Sequence, residues 1–202
     1  MKRKGHTAAL GRPRGFDADK ALDRALEVFW RKGYEGTAIS DLTAAMQINR
    51  PSIYAAFGNK EQLFRKVLDR YAEGPASAVR AALDAPTARQ AVERVLLAAA
   101  YVPTRGERPR GCLLVQGALA CGDASESVRR ELIARRADGE AELRKRLQRA
   151  EAEGDLSPSV DPAALARYVM TLAYGMAVEA ASGASYRELL QVVETAMKAW
   201  PS

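Results

Sequence analysis

Two apolar patterns, each barely two turns long, meet at Gln47-Ile48-Asn49 and set the tightest limit on what this chain can fold into. After Thr37, the first places Ile39, Leu42 and Met46 on one face; the second, from Arg50 to Phe57, places Ile53 and Phe57 on one face. Helices this short do not persist alone in water. Each must bury its face on a neighbour, and longer patterns flank the pair on both sides. Upstream, Ala18, Leu22, Ala25, Leu26, Phe29 and Trp30 follow helical spacing, with Asp17 to cap the start and Gly33 the end. Downstream, Gly58-Asn59 ends the second short segment, and Lys60 opens a longer one through Leu63, Phe64, Val67, Leu68 and Tyr71. Pro51 is tolerated in a first turn, where its missing N–H is not needed. Two short helices joined by a three- or four-residue turn make a helix-turn-helix.

That geometry delivers the first turn of its second helix to the DNA major groove. The residues placed for bases are then Asn49, Arg50, Pro51 and Ser52. Arg50 has the two-pronged donor a guanine edge accepts, worth about 1–3 kcal/mol of discrimination. Tyr54, one turn on, can reach a phosphate. Thr37, Ser40 and Lys60 sit at or near helix starts, where backbone N–H groups favour phosphate. Charge agrees. Residues 1–70 hold 14 Lys or Arg against 8 Asp or Glu, which accounts for the whole net charge of +6; residues 71–202 are balanced at 17 each. A polyanionic partner for the first third is the simplest reading. Residues 1–15 form a basic arm whose Gly11-Arg12-Pro13-Arg14-Gly15 stretch suits either a linker or, through Arg12 and Arg14, an A·T minor groove.

The remainder reads as helix throughout. Apolar residues make up 48% of the chain and aromatics 6%, a composition for packed helices rather than a sheet. Helices are expected at about Thr87–Val102, Gly111–Cys121, Asp123–Gly154 (opened by a box of Asp123 and Glu126, disturbed near Gly139), Asp161–Ala181 and Ser185–Trp200. The expected fold is all-α with about nine helices: a basic arm at 1–15, a helix-turn-helix domain at 16–60 and a further helical domain at 61–202. No run of eighteen apolar residues is present and no apolar stretch follows the charged start, so a cytoplasmic protein with no membrane partner is expected. The one histidine, His6, lies in the arm, and neither a phosphate-cradling glycine loop nor a metal-ligand cluster is recognisable. No enzymatic activity and no cofactor are expected. An architectural DNA binder without operator preference is the competing reading.

The stretch from Asp17 to Tyr71 resembles the DNA-binding domain of the TetR family of bacterial regulators. The resemblance runs through Ala21-Leu22, Phe29, Gly33-Tyr34, Gly36-Thr37, Ile39, Asp41-Leu42, Ala44, Ile48-Asn49-Arg50, Ile53-Tyr54, Phe57, Lys60-Glu61 and Leu63-Phe64. It implies a three-helix DNA-binding domain at 16–60 joined to a helical effector-binding and dimerisation domain at 61–202, and a homodimer on a near-palindromic double-stranded operator, usually a repressor released by a small-molecule effector. One position departs from the family: Gln47 stands where glycine is usual in the turn, at a cost of roughly 1 kcal/mol if φ is positive.

The last two helices have the composition of a dimer interface, with Ala173, Gly175, Ala177, Ala180 and Ala181 allowing close approach. Leu172, Met176, Leu189, Val193, Met197 and Trp200 supply apolar area there, for an interface or for the chain's own core. The resemblance implies a four-helix bundle with a two-fold mate. Candidate effector-lining residues are Tyr71, Tyr101, Cys112, Gln116, Tyr168 and Met170, with ordinary core packing the simpler reading of each. Cys112 and Cys121, nine residues apart on one helix, would lie on opposite sides and roughly 13 Å apart along it, too far for a disulfide. The Gly111-Cys112-Leu113 segment with Cys121 resembles the electrophile-responsive members of the family. Cys112 is accordingly a candidate sensor thiol or a small apolar packing residue.

Overall fold

The computed structural model describes residues 16–106, 111–120 and 125–201. The arm with Arg12 and Arg14, the loop at 107–110, Cys121 and Asp123 lie outside the described residues. Among the described residues there are ten α-helices, one 3-10 turn and no strand. They are α1 (Ala18–Lys32), α2 (Ile39–Met46), α3 (Arg50–Phe57), α4 (Lys60–Glu73), α5 (Ser77–Ala81), α6 (Ala88–Thr104), α7 (Leu113–Ala120), α8 (Glu126–Ala152), α9 (Pro162–Ala181) and α10 (Tyr186–Lys198), with the 3-10 turn at Ala82–Asp84. The helix beyond the expected nine is α5. It buries no residue, so it left no apolar pattern to find.

The helix starts follow their caps. Asp17 accepts from the N–H groups of Asp19 and Lys20, Asn49 from Ser52, Thr87 from Gln90 and Asp161 from Ala163. Asn59 with Gln62 and Ser185 with Glu188 are reciprocal boxes. One expected cap differs. α2 starts one residue later than expected, after Ala38, whose N–H donates to Asp41 Oδ2 at 2.9 Å. Thr37 is only 1% exposed and its hydroxyl donates to Gly33 O at 2.6 Å, so it stitches the α1–α2 corner instead. At α8, Glu126 is the first helical residue and its carboxylate pairs with Arg129 and Arg130; its expected partner Asp123 lies outside the described residues.

Packing among the described residues gathers into two apolar cores. One core joins α1–α4 with Val102, Leu113, Val128 and Leu132, so α4, the start of α7 and the first turns of α8 pack with the reading helices. The other joins α6, the C-terminal half of α8, α9 and α10. α8 serves both: Val128 and Leu132 lie in the first, Leu143, Leu147 and Ala150 in the second. Arg146 of α8, 5% exposed, fastens the turn before α6 by donating to the carbonyls of Leu83 (3.1 Å), Ala85 (3.0 Å) and Pro86 (3.4 Å).

The second core absorbs most of the residues expected at a dimer interface. Met176, Leu189, Val193 and Met197 are buried inside the chain's own core, and Leu172 and Trp200 are half-buried against it. A large apolar residue at helical spacing marks the inward face first, and in the single chain these six pack on that face. The outward stripe of α9 is different: Ala164, Tyr168, Thr171, Gly175, Val178 and Ser182 are all exposed.

The turn between α2 and α3 carries the departure at Gln47, which takes φ 58° and ψ 38°, a left-handed conformation. Its side chain is held. Arg24 Nη1 on α1 donates to Gln47 Oε1 at 2.9 Å and lies 3.4 Å from Met46 O, putting a cation at the carbonyl end of α2. A glycine would relieve the strain and lose the bond. In an Arg24→Ala background Gln47→Gly should therefore raise unfolding free energy by about 1 kcal/mol, and by measurably less with Arg24 present. Urea unfolding of the four variants reads this directly; equal gains in both backgrounds would remove any role for the Arg24–Gln47 bond.

Candidate nucleic-acid interface

Three helix starts present polar groups outward from the first core. In α3, Ile53 and Phe57 are buried, which turns Arg50, Pro51, Tyr54 and Ala55 to solvent. Asn49 precedes them, exposed, its side-chain oxygen on the Ser52 N–H at 2.9 Å. Arg50 is not extended. Its Nε and Nη2 donate to the Tyr54 hydroxyl at 3.2 and 3.1 Å, with the guanidinium carbon 5.4 Å from the ring centre. Tyr54 itself is 39% exposed.

In α2, Ser40 is exposed in the first turn. Behind it Asp41 is held below the usual carboxylate range, first by the Lys32 ammonium at 2.8 Å and then by the Ala38 N–H. That pair braces α2 on the end of α1. At the start of α4, Lys60 is half-exposed, and its ammonium lies 4.3 Å from the centre of the Tyr34 ring. Tyr34 in turn packs on Phe29 and Phe64. Ser40, Asn49, Arg50, Pro51, Tyr54 and Lys60 thus reach the surface, Ser52 is half-buried, and Thr37, with both hydroxyl and N–H used internally, does not serve the surface.

The rear of the first core is where the rest of the chain attaches. The Trp30 indole N–H donates to Gly111 O at 3.0 Å in a buried bond, and the ring lies edge-on to Tyr71 with centres 5.0 Å apart. The Tyr71 hydroxyl meets Cys112 Sγ at 3.5 Å. Burial, then the neighbouring thiol, holds the Tyr71 phenol well above its usual range. Tyr174 of α9 is pushed up to about 12, again by burial first and Cys112 second, and its hydroxyl donates to Arg136 O at 3.1 Å. Gln116 lies beside Gly111 and, with Phe29, Trp30, Gly33, Leu113 and Gly117, lines a small cavity of about 160 Å³.

Of the six expected effector-lining residues, then, Tyr71, Cys112 and Gln116 come together at this junction. The other three do not join them. Tyr101 is half exposed, edge-on to Tyr186 and under Arg105; Tyr168 is on the surface; Met170 is buried in the second core. The sequence reading missed Trp30 as a polar anchor, Tyr174 as a neighbour of Cys112 and Arg24 as the holder of the turn. Only Trp30 carried a signal: an indole N–H in a core pattern needs an acceptor.

Family models match almost the whole described chain: "Bacterial regulatory proteins, tetR family" over residues 21–67 and "Tetracyclin repressor-like, C-terminal domain" over residues 88–197. The HTH-type transcriptional repressor ComR of Escherichia coli (strain K12) is 35% identical over 193 residues, 95% of this chain and 92% of the relative. The HTH-type transcriptional repressor BdcR of the same strain is 34% identical over 119 residues, 58% of this chain and 60% of that one. Among solved structures, a cysteine mutant of the TetR family transcriptional regulator CifR, complexed with 26-bp double-strand operator DNA, superposes with a TM-score of 0.89 at 44% identity, covering 95% of this chain and 100% of that one. With its helix-turn-helix, its all-helical remainder and these matches, the chain belongs to the TetR family of bacterial transcriptional regulators.

Proposed function

We propose that the protein is a cytoplasmic repressor that binds a near-palindromic operator as a homodimer and releases it when a small molecule acts on the chain. The observation that carries this reading is the first turn of α3, where Asn49, Arg50, Pro51 and Tyr54 stand exposed on a helix pinned from behind by Ile53 and Phe57. The operator-bound relative and the repressors ComR and BdcR support it. Arg50 and the amide NH2 of Asn49 address base edges; Tyr54, Ser40 and Lys60 address phosphates, and Arg12 and Arg14 extend the footprint into the minor groove. Selection from a random duplex library with the full-length chain should recover one near-palindromic site. Removing residues 1–15 should then weaken binding and shallow its salt dependence by about one to two counterions. Recovery of no common site would favour the architectural alternative.

Reading a palindrome needs two heads about 34–36 Å apart, and the exposed α9 stripe is the surface available for the pairing. Gly175 is its diagnostic residue. A Cβ built there meets nothing within 4 Å, so nothing inside the chain requires glycine, whereas a helix packed on the stripe would. Gly175→Leu should leave the fold intact by circular dichroism and shift the sedimenting species to monomer at micromolar concentration. A monomeric wild-type chain would overturn the pairing itself.

For release, the reading favoured by the geometry places the effector at the Cys112–Tyr71 junction, because those side chains touch both the helices that carry the head and the start of α7. An electrophile that alkylates Cys112 would enlarge a side chain wedged against a buried tyrosine. N-ethylmaleimide should release operator DNA from the wild type and fail to do so with Cys112→Ser. Release that persists in the serine variant would leave Cys112 a packing residue.

A further inference from the structure

The side chains of α3 do not act singly, and the Arg50–Tyr54 pair shows how. An arginine offers five N–H groups, arranged as a side edge (Nε with one N–H of Nη2) and an end edge (the outer N–H groups of Nη1 and Nη2). Here the whole side edge is spent on one oxygen: Nε and Nη2 reach the Tyr54 hydroxyl at 3.2 and 3.1 Å, nearly equal distances. The end edge is left over, and its two parallel N–H groups match the O6 and N7 acceptors of a guanine in the major groove. The phenol oxygen, while accepting from the guanidinium, keeps its own O–H as a donor for a phosphate. The ring adds a second hold, since the guanidinium carbon lies 5.4 Å from its centre. The residues either side stiffen the arrangement: the Asn49 cap fixes the first turn of α3, and Pro51 fixes the backbone just after Arg50.

We infer that Tyr54 is a positioning residue for base reading: its hydroxyl holds the side edge of Arg50 so that the end edge faces the bases, and the sequence preference of α3 belongs to the pair. A phosphate engaged by the Tyr54 O–H fixes the phenol, and through it the arginine, so backbone contact and base contact are coupled. The inference rests on the reading of Arg50 as a base-contacting residue.

The test uses the full-length chain, the duplex recovered by selection, and a panel in which each base pair of one half-site is substituted in turn, all measured by competition in fluorescence anisotropy. Arg50→Ala locates the base pair that the arginine reads, as the position where substitution no longer changes affinity. Tyr54→Phe keeps the ring and removes the hydroxyl; because Tyr54 is exposed, its fold is expected to be unchanged, and thermal unfolding by circular dichroism verifies this. The expected result is that Tyr54→Phe loses about fivefold of the discrimination at that same base pair, keeps the preferences elsewhere, and adds no further loss of discrimination when combined with Arg50→Ala. If Tyr54→Phe weakens every duplex of the panel by one common factor, Tyr54 is a phosphate contact alone and the inference is overturned. If Arg50→Ala leaves the whole preference profile unchanged, the reading of Arg50 falls and the inference with it. These two failures are told apart by which variant shows the flat response.

Discussion

Everything at the reading face depends on one apolar core shared between helices too short to stand alone and helices long enough to carry them. α2 and α3 have eight residues each. Neither has the length to persist by its own hydrogen bonds. Leu42, Met46, Ile53 and Phe57 are all buried against Phe29, Phe64, Leu63 and Leu68 of the flanking helices. Phe29 and Phe64 meet edge-on at 4.9 Å between ring centres, the contact that ties α1 to α4 beneath the pair. Orientation of the exposed turn is then a by-product of burial. Once Ile53 and Phe57 face inward, the outward placement of Arg50 and Tyr54 follows from helical geometry.

The same core explains why a strict boundary between a reading domain and an effector domain is hard to draw. Leu113, Val128 and Leu132 come from the chain far downstream, yet they complete the apolar environment of α1 and α4. The buried Trp30–Gly111 hydrogen bond fastens that junction, and losing it would strand an indole N–H away from water. Cys112 is the next residue along, so its thiol sits at the same closure, against the Tyr71 hydroxyl.

Much of this was legible in the sequence, for reasons that can be stated residue by residue. The helix-turn-helix was readable because its apolar spacings are regular and its breaks fall at Gly33, Gln47 and Gly58, all three of which have positive φ. Caps at Asp17, Asp161 and Ser185 were readable because the side chain that names them also makes the bond. Thr37 misled because a threonine before a helix can cap it or fold back, and only the proximity of the Gly33 carbonyl decides which. The apolar residues of the last two helices were legible as buried but not as to where, because periodicity cannot distinguish a chain's own core from a neighbour's. Arg24 and Tyr174 were invisible because their partners, Gln47 and Arg136, lie 23 and 38 residues away, and no local pattern reports such pairs.

α8 belongs to both cores. Its 27 residues make a rod about 40 Å long. Buried anchors sit near both ends, while none of its residues from 133 to 142 is buried; Gly139 lies in this stretch, its missing methyl facing only Met170 at 3.9 Å. Between those anchors the rod is held by polar contacts, with the Tyr174 hydroxyl on the Arg136 carbonyl and Arg135 and Glu140 paired with Asp69 and Arg167, so it joins the two cores as one stiff member. A tilt of about 3° at the clamp formed by Leu143 and Leu147 carries the turn holding Val128 by about 1 Å over the intervening length. The displacement from a rigid tilt of α8 is thus larger at one core than at the other, in proportion to the length of helix between them.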